Sequence, residues 1–175
     1  QDQLRLLDSR LQISLSGRVQ GFSLTQPEFT GGPSPYADVA FESPKSAYTG
    51  DGAVSYFFAG AGTKLRGHAG NAYRAPSLFE RFGSSFFFGS FSPFGDPTLR
   101  PERTIAFDAG VDQWLARDRL KVSATYFYTG LQEIIFFDTG GGIDFTADPF
   151  GRFIGYRNTG GGLARGVELS VDASP

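Results

Sequence analysis

A chain of 175 residues with 24 glycines, 19 phenylalanines, no cysteine, no methionine and a net charge of −2 is excluded from several classes at once. It has no disulfides, thiol nucleophiles or cysteine-ligated metals, and its lone histidine, His68, cannot build a multi-histidine metal site. No basic stripe marks a nucleic-acid partner, and no window approaches the roughly 18 to 20 apolar residues of a transmembrane helix.

Only 19% of residues are charged and the mean hydropathy is −0.19, so the apolar residues are dispersed rather than pooled. The start QDQLRLLDSR has no apolar core of a signal peptide. With no methionine, the expectation is a piece of a longer protein.

The informative signal is period two. Leu11, Ile13, Leu15, Gly17, Val19 and Gly21 are apolar or small, while Gln12, Ser14, Ser16, Arg18 and Gln20 are polar. Ile105, Phe107, Ala109 and Val111 alternate with Thr104, Asp108 and Asp112. Leu120, Val122, Ala124, Tyr126 and Tyr128 alternate with Lys121, Ser123, Thr125 and Thr129. Val167, Leu169 and Val171 alternate with Glu168, Ser170 and Asp172. Such patterns predict strands with one apolar and one polar face, whereas sustained helical spacing is found nowhere. In chain order, strands are expected at about 1–7, 11–22, 52–58, 64–73, 103–114, 119–137 and 153–173.

The gaps alternate in length. Tight turns are expected near 8–10, 59–63 and 115–118, and long loops near 23–51, 74–102 and 138–152, about thirty residues in the first two. Structureless loops of that size sit badly in a compact domain. They suit an outer-membrane β-barrel, with short periplasmic turns and long extracellular loops. Parity then points Arg18, Arg66, His68, Asp108, Asp112, Lys121 and Glu168 at the lumen. Tyr73, Tyr126 and Tyr128 lie toward the long-loop ends, where an interfacial aromatic girdle sits. A soluble antiparallel sandwich with one solvated face produces the same alternation, so the gap rhythm is what favours the barrel.

Four boxes then stand in order. The first is YRAPSLFERFG, with Tyr73, Arg74, Ala75 and Pro76. The second is GDPTLRPE, with Gly95, Pro97, Leu99, Pro101 and Glu102, followed by Phe107-Asp108-Ala109-Gly110-Val111. The third runs from Thr125 to Ile135, and the fourth carries Asn158, Gly160, Gly166, Val167 and Glu168. Together they resemble the central barrel of the TonB-dependent outer-membrane receptors along nearly the whole chain. Asp96 stands where that family usually has Asn and Tyr73 where it has Phe; both are mild changes.

The resemblance implies an all-β antiparallel meander of about seven strands, part of a plugged transmembrane barrel of about 22 strands. The plug domain, the TonB box and the aromatic-ended terminal strand are expected outside residues 1–175. It also implies a lipid bilayer around the barrel, the TonB-ExbB-ExbD complex as partner through the plug, and a ligand of the ferric siderophore or cobalamin class. The expected location is the outer membrane of a Gram-negative bacterium. A passive porin or adhesin barrel, and a soluble carbohydrate-binding β-sandwich, stay open as alternatives.

No catalytic constellation emerges, and neither an enzyme nor a cofactor is expected. Glu80, Glu102 and Glu133 lack a partner at mechanistic spacing. Asp138, Asp144 and Asp148 in a glycine-rich loop suggest calcium, but the EF-hand spacing is missing. Ligand contact is expected instead in the loop bearing Phe86, Phe87, Phe88, Phe91 and Phe94, because exposed rings on a rigid scaffold offer stacking surface. Those rings equally pack on one another to order the loop. Arg81 and Arg100 flank them and suit an anionic chelate, or pair with Glu80 and Glu102. Haem receptors of the family this chain resembles carry a histidine between the first two boxes; none stands between Pro76 and Asp96, so the resemblance does not imply haem.

Overall fold

The computed structural model describes residues 2–25, 34–40, 42–87 and 90–174. Its frame is a seven-stranded antiparallel sheet in which chain neighbours are sheet neighbours. The strands are β1 (Asp2–Leu6), β2 (Leu11–Gln20), β3 (Ala47–Phe58), β4 (Thr63–Arg74), β7 (Glu102–Leu115), β8 (Leu120–Gln132) and β11 (Gly162–Ala173). Two excursions leave this frame. Between β4 and β7 come the short helix α1 (Leu78–Phe82) and the hairpin β5 (Ser84–Phe87) and β6 (Ser90–Pro93). Between β8 and β11 come the paired strands β9 (Ile134–Asp138) and β10 (Gly155–Thr159).

The register carries the sequence alternation across the sheet. One row of opposed residues reads Leu11, Tyr56, Leu65, Val111, Ala124, Leu169. The next row down the strands reads Gln12, Ser55, Arg66, Gly110, Thr125, Glu168. Because successive side chains point to opposite faces, the first row belongs to an apolar face and the second to a polar one. Arg18, Arg66, His68, Asp108, Asp112, Lys121 and Glu168 all share the polar face, as their parity predicts. The apolar face is open: Leu65 is 47% exposed and Leu169 77%. Monomeric soluble proteins rarely leave so broad an apolar surface uncovered.

Three tight turns join the frame strands at one end. Two share a backbone shape that non-glycine residues seldom adopt. Leu7, Asp8 and Ser9 have φ of 53°, 55° and 66°, and Ala116, Arg117 and Asp118 have 52°, 56° and 68°. Each is closed by one bond, from the Arg10 N–H to Leu7 O at 3.1 Å and from the Arg119 N–H to Ala116 O at 3.4 Å. The left-handed region costs a side-chain-bearing residue roughly 1–2 kcal/mol, so the long ladders on either side hold these turns in place.

The structure corrects the expected boundaries in four places. The third strand starts at Ala47 rather than 52, because Ala47 to Gly50 pair with Gly17 to Gln20 across glycine-rich backbone that carries little periodicity. The expected strand 119–137 divides into β8 and β9 at Glu133, whose φ of 55° breaks the ladder. The expected strand 153–173 divides into β10 and β11 around Gly160-Gly161. The loop 74–102 is not structureless, since it holds α1 and the β5–β6 hairpin. The helix starts from a capping box: Ser77 Oγ accepts the Glu80 N–H and the Glu80 carboxylate accepts the Ser77 N–H.

Candidate functional site

On the polar face a charged cluster centres on β4. The Arg66 guanidinium lies 3.9 Å from Asp108 and 3.5 Å from Asp112, and donates to Thr125. It reaches Thr125 by crossing Gly110, where a Cβ would sit 2.9 Å from Arg66 Cζ. That close approach gives the glycine in Phe107-Asp108-Ala109-Gly110-Val111 a physical reason. His68 stands between two carboxylates, with Nδ1 3.1 Å from Asp108 and Nε2 3.9 Å from Asp51. Toward the tight turns, Trp114 packs edge-on to Phe57 and carries the Lys121 ammonium 5.5 Å above its ring.

At the opposite end the two excursions are clasped together. Arg152 is 4% exposed and is the hub. Its guanidinium reaches the Asp148 carboxylate at 2.8 Å, Asp96 at 3.2 Å, and the carbonyls of Gly95 at 2.8 Å and Tyr156 at 2.9 Å. Burial alone would raise the Asp148 carboxyl, but the Arg152 side chain and the Arg152 and Phe150 N–H groups hold it below its usual range. Tyr36 donates toward the carbonyls of Gly83 at 3.1 Å and Gly95 at 2.9 Å, and burial pushes its phenol up to about 12. Gly95 sits where these groups converge. A Cβ there would lie 2.6 Å from Gly83 N and 2.7 Å from Arg81 C, so only glycine fits.

Most motif residues belong to this clasp. Arg74 bridges Glu102 at 2.6 Å and Glu80 at 2.9 Å, tying α1 to the ends of β4 and β7. Glu80 is pulled up by burial but held low by bonds from Ser77 and Arg74. The carboxamide of Asn158 accepts the Arg100 N–H at 2.7 Å and donates to the carbonyls of Arg100 and Glu133, both at 2.9 Å. Asp96 accepts the Thr98 N–H at 2.8 Å, closing the turn expected of a short side chain there. Pro76, Pro97 and Leu99 are buried, and Ala75 and, just before β7, Pro101 are half-buried. Gly166 faces Phe127 and Glu168 faces Thr125 across the β8–β11 ladder, with Gly160 in the connection before β11.

The expected ligand contacts are dispersed over this end. Phe86 is 60% exposed and meets Phe91 edge-on at 5.1 Å in the β5–β6 hairpin. Phe94 turns inward to Phe79 at 5.1 Å and Phe137 at 6.1 Å. Phe88 lies outside the described residues, and of Phe87 only the backbone is described. Arg81 is buried and donates to the carbonyls of Pro97 and Glu42, not to Glu80. Arg100 pairs with Glu133 at 2.9 Å, not with Glu102, and keeps 69% of its side chain exposed.

Sequence reading missed Arg152, Tyr36 and the stacked pair Phe145 and Phe153, whose ring centroids are 3.9 Å apart. The spacing of Asp148 and Arg152, four residues apart, was the available signal. Among the described residues no group of three or more His, Cys, Asp or Glu could hold a metal ion, and the three loop aspartates have other tasks. Asp138 pairs with Arg157 at 2.7 Å, Asp144 accepts the Thr146 N–H at 3.0 Å, and Asp148 holds Arg152.

A sheet with a continuous apolar face, a charged opposite face, tight turns at one end and clasped excursions at the other defines the wall of a membrane-spanning β-barrel. The family model described as "TonB dependent receptor-like, beta-barrel" matches residues 1–174, and the chain belongs to that family. Its place is therefore the outer membrane of a Gram-negative bacterium. Among solved structures the fold is similar to one titled "Copper transporter OprC", with a TM-score of 0.57 and 17% identity. That likeness covers 94% of this chain and 25% of the other, so the chain spans about a quarter of that protein's length. No curated protein matches the sequence.

Proposed function

We propose that the chain is the central barrel segment of a TonB-dependent transporter that takes up a scarce nutrient, a ferric siderophore, cobalamin or a similar chelate, without covalent chemistry. The reading rests on one observation above others: an apolar face runs across every frame strand from β2 to β11, with Arg103 and Arg165 as its charged residues. In this reading the turns near 8–10, 59–63 and 115–118 are periplasmic and the excursions extracellular. A plug encoded outside residues 1–175 carries the contact to TonB-ExbB-ExbD.

Ligand contact falls to the excursions. The exposed ring of Phe86, with the half-buried Phe91 against it, supplies stacking surface, and Phe94 anchors the base of their hairpin. Arg100 offers positive charge at the rim, while Arg81 shapes the loop from within. The similar structure is named for copper. Copper(I) favours thiolate and thioether donors, and this chain has neither Cys nor Met, which supports a chelated ligand over a bare soft ion in this segment.

The test uses cells carrying the full-length receptor, with and without functional TonB, supplied separately with labelled ferric siderophores, cobalamin and copper. TonB-dependent accumulation of one chelate is expected. Equal accumulation without TonB would leave a passive porin as the answer.

A further inference from the structure

The apolar face is not uniformly apolar. From β2 to β11 its charged residues are Arg103 and Arg165, both in the halves of their strands nearest the excursions and both basic. Arg103 opens onto a cleft of about 470 Å³ at the rim of the sheet. Lys45, Arg100 and Arg103 reach into it over an apolar floor that includes Pro44, Pro101 and Tyr73. Tyr73 organises the cleft: its ring lies 5.9 Å below the Arg103 guanidinium and 5.8 Å from Phe22, and its hydroxyl donates to Lys45 O at 3.4 Å.

The charge in the cleft is unbalanced. Its acid is Glu42, whose field acts on the buried Arg81, and Arg100 is matched by Glu133. Among the described residues no carboxylate lies within ion-pair distance of Lys45 or Arg103, and both are exposed. A second groove of about 220 Å³ continues from Tyr73 and Arg103 over Tyr48 and Ile105, down the apolar face. A cationic cleft that runs into a groove walled by Tyr48, Tyr73 and Ile105, with Asn71 and Gln132 as polar members, has the shape of an amphiphile, with an anionic head above and acyl chain below. Tyrosines at the boundary mark the depth of the headgroup layer.

We propose that Lys45 and Arg103 form a binding site for the phosphate of a phosphorylated glycolipid of the outer leaflet, with its acyl chain along the Tyr48–Ile105 groove. This rests on the outer-membrane reading above, with the excursions outside. The test reconstitutes the full-length receptor into phosphatidylcholine nanodiscs doped with diphosphorylated lipid A, or with the same lipid stripped of phosphate. Retained lipid is read by native mass spectrometry.

Wild type is expected to retain the phosphorylated lipid in clear preference. The K45A/R103A variant should lose roughly 25-fold in retention, about fivefold for each basic residue near the surface. Equal retention of the stripped lipid, undiminished retention in the variant, displacement by millimolar inorganic phosphate, or a second receptor copy in place of lipid would each overturn the site. Heat-modifiable migration of the variant on gels shows that its barrel is folded. A receptor that enters discs and fails to select phosphate sinks this site alone, whereas failure of wild type to enter discs sinks the barrel placement with it.

Discussion

Arg152 is the residue on which most of the loop end depends. Its guanidinium is buried against a carboxylate that is itself only 4% exposed, with Asp96 and two carbonyls completing the shell. Removing one partner of such a pair leaves a buried, uncompensated charge, at a cost of about 3–5 kcal/mol. Arg152→Ala is therefore expected to release the segment 139–154 while the seven-stranded frame persists, read as fast hydrogen exchange confined to that segment. The clasp also has a pH window. The Asp148 carboxyl is depressed in the folded state, so its contribution is present above its unfolded value near pH 4 and is lost as pH falls through the folded one. Tyr36 works in the opposite direction. Its phenol is raised to about 12, so its contribution is present below its ordinary value of about 10 and fades as pH climbs toward 12. Exchange protection of the clasp should be flat between about pH 4 and 10 and fall on both sides. Protection that holds unchanged below about pH 4 and above about pH 10 would show that neither group matters.

At the scale of elements, the prolines in the sequence mark ladder ends. Pro76 stops β4 at Arg74 and Pro101 holds β7 back to Glu102, because proline has no N–H for the ladder and turns its predecessor away from continuing structure. What lay between them was less legible. Ser77-Leu78-Phe79-Glu80 is a capping-box pattern, but five residues are too few to show helical periodicity, so α1 was hidden inside a loop. The β5–β6 hairpin was hidden for another reason: a run of phenylalanines has no alternation to read. Its base depends on Gly95, which lies against the Gly83 backbone. Gly95→Ala should cost about 3 kcal/mol, the upper end for overpacking. The expected signature is protease cleavage within 84–93 of the receptor in intact cells, where the unaltered hairpin resists.

At the scale of the whole molecule, the meander and its two faces were readable because period two survives across long ladders. The clasp was not, because it joins residues more than fifty positions apart, such as Asp96 and Arg152. With no cysteine in residues 1–175, a single cysteine placed in this segment reports the face assignment once any cysteines elsewhere in the receptor are replaced. Leu169 and Ser170 are neighbours on β11 that point to opposite faces. In the full-length receptor, Ser170→Cys should react with a water-soluble thiol reagent, and Leu169→Cys only with a lipid-soluble one. The reverse pattern would invert the barrel wall, and equal labelling would point to a sheet solvated on both sides.

The bond from the Tyr156 N–H to Phe94 O at 2.8 Å, with the Arg152 and Asn158 contacts, has a bearing on inheritance. The two excursions are encoded far apart yet are parts of one object. Grafting 75–101 alone from a relative would replace the segment that gives Arg152 two of its contacts, Gly95 O and the Asp96 carboxylate, while Asp148 and the Tyr156 carbonyl stay behind. Recombination that carries both segments keeps every contact. New ligand preferences in this lineage should therefore arise by co-inheritance of the pair, and single-segment chimeras should misassemble even when each parent works.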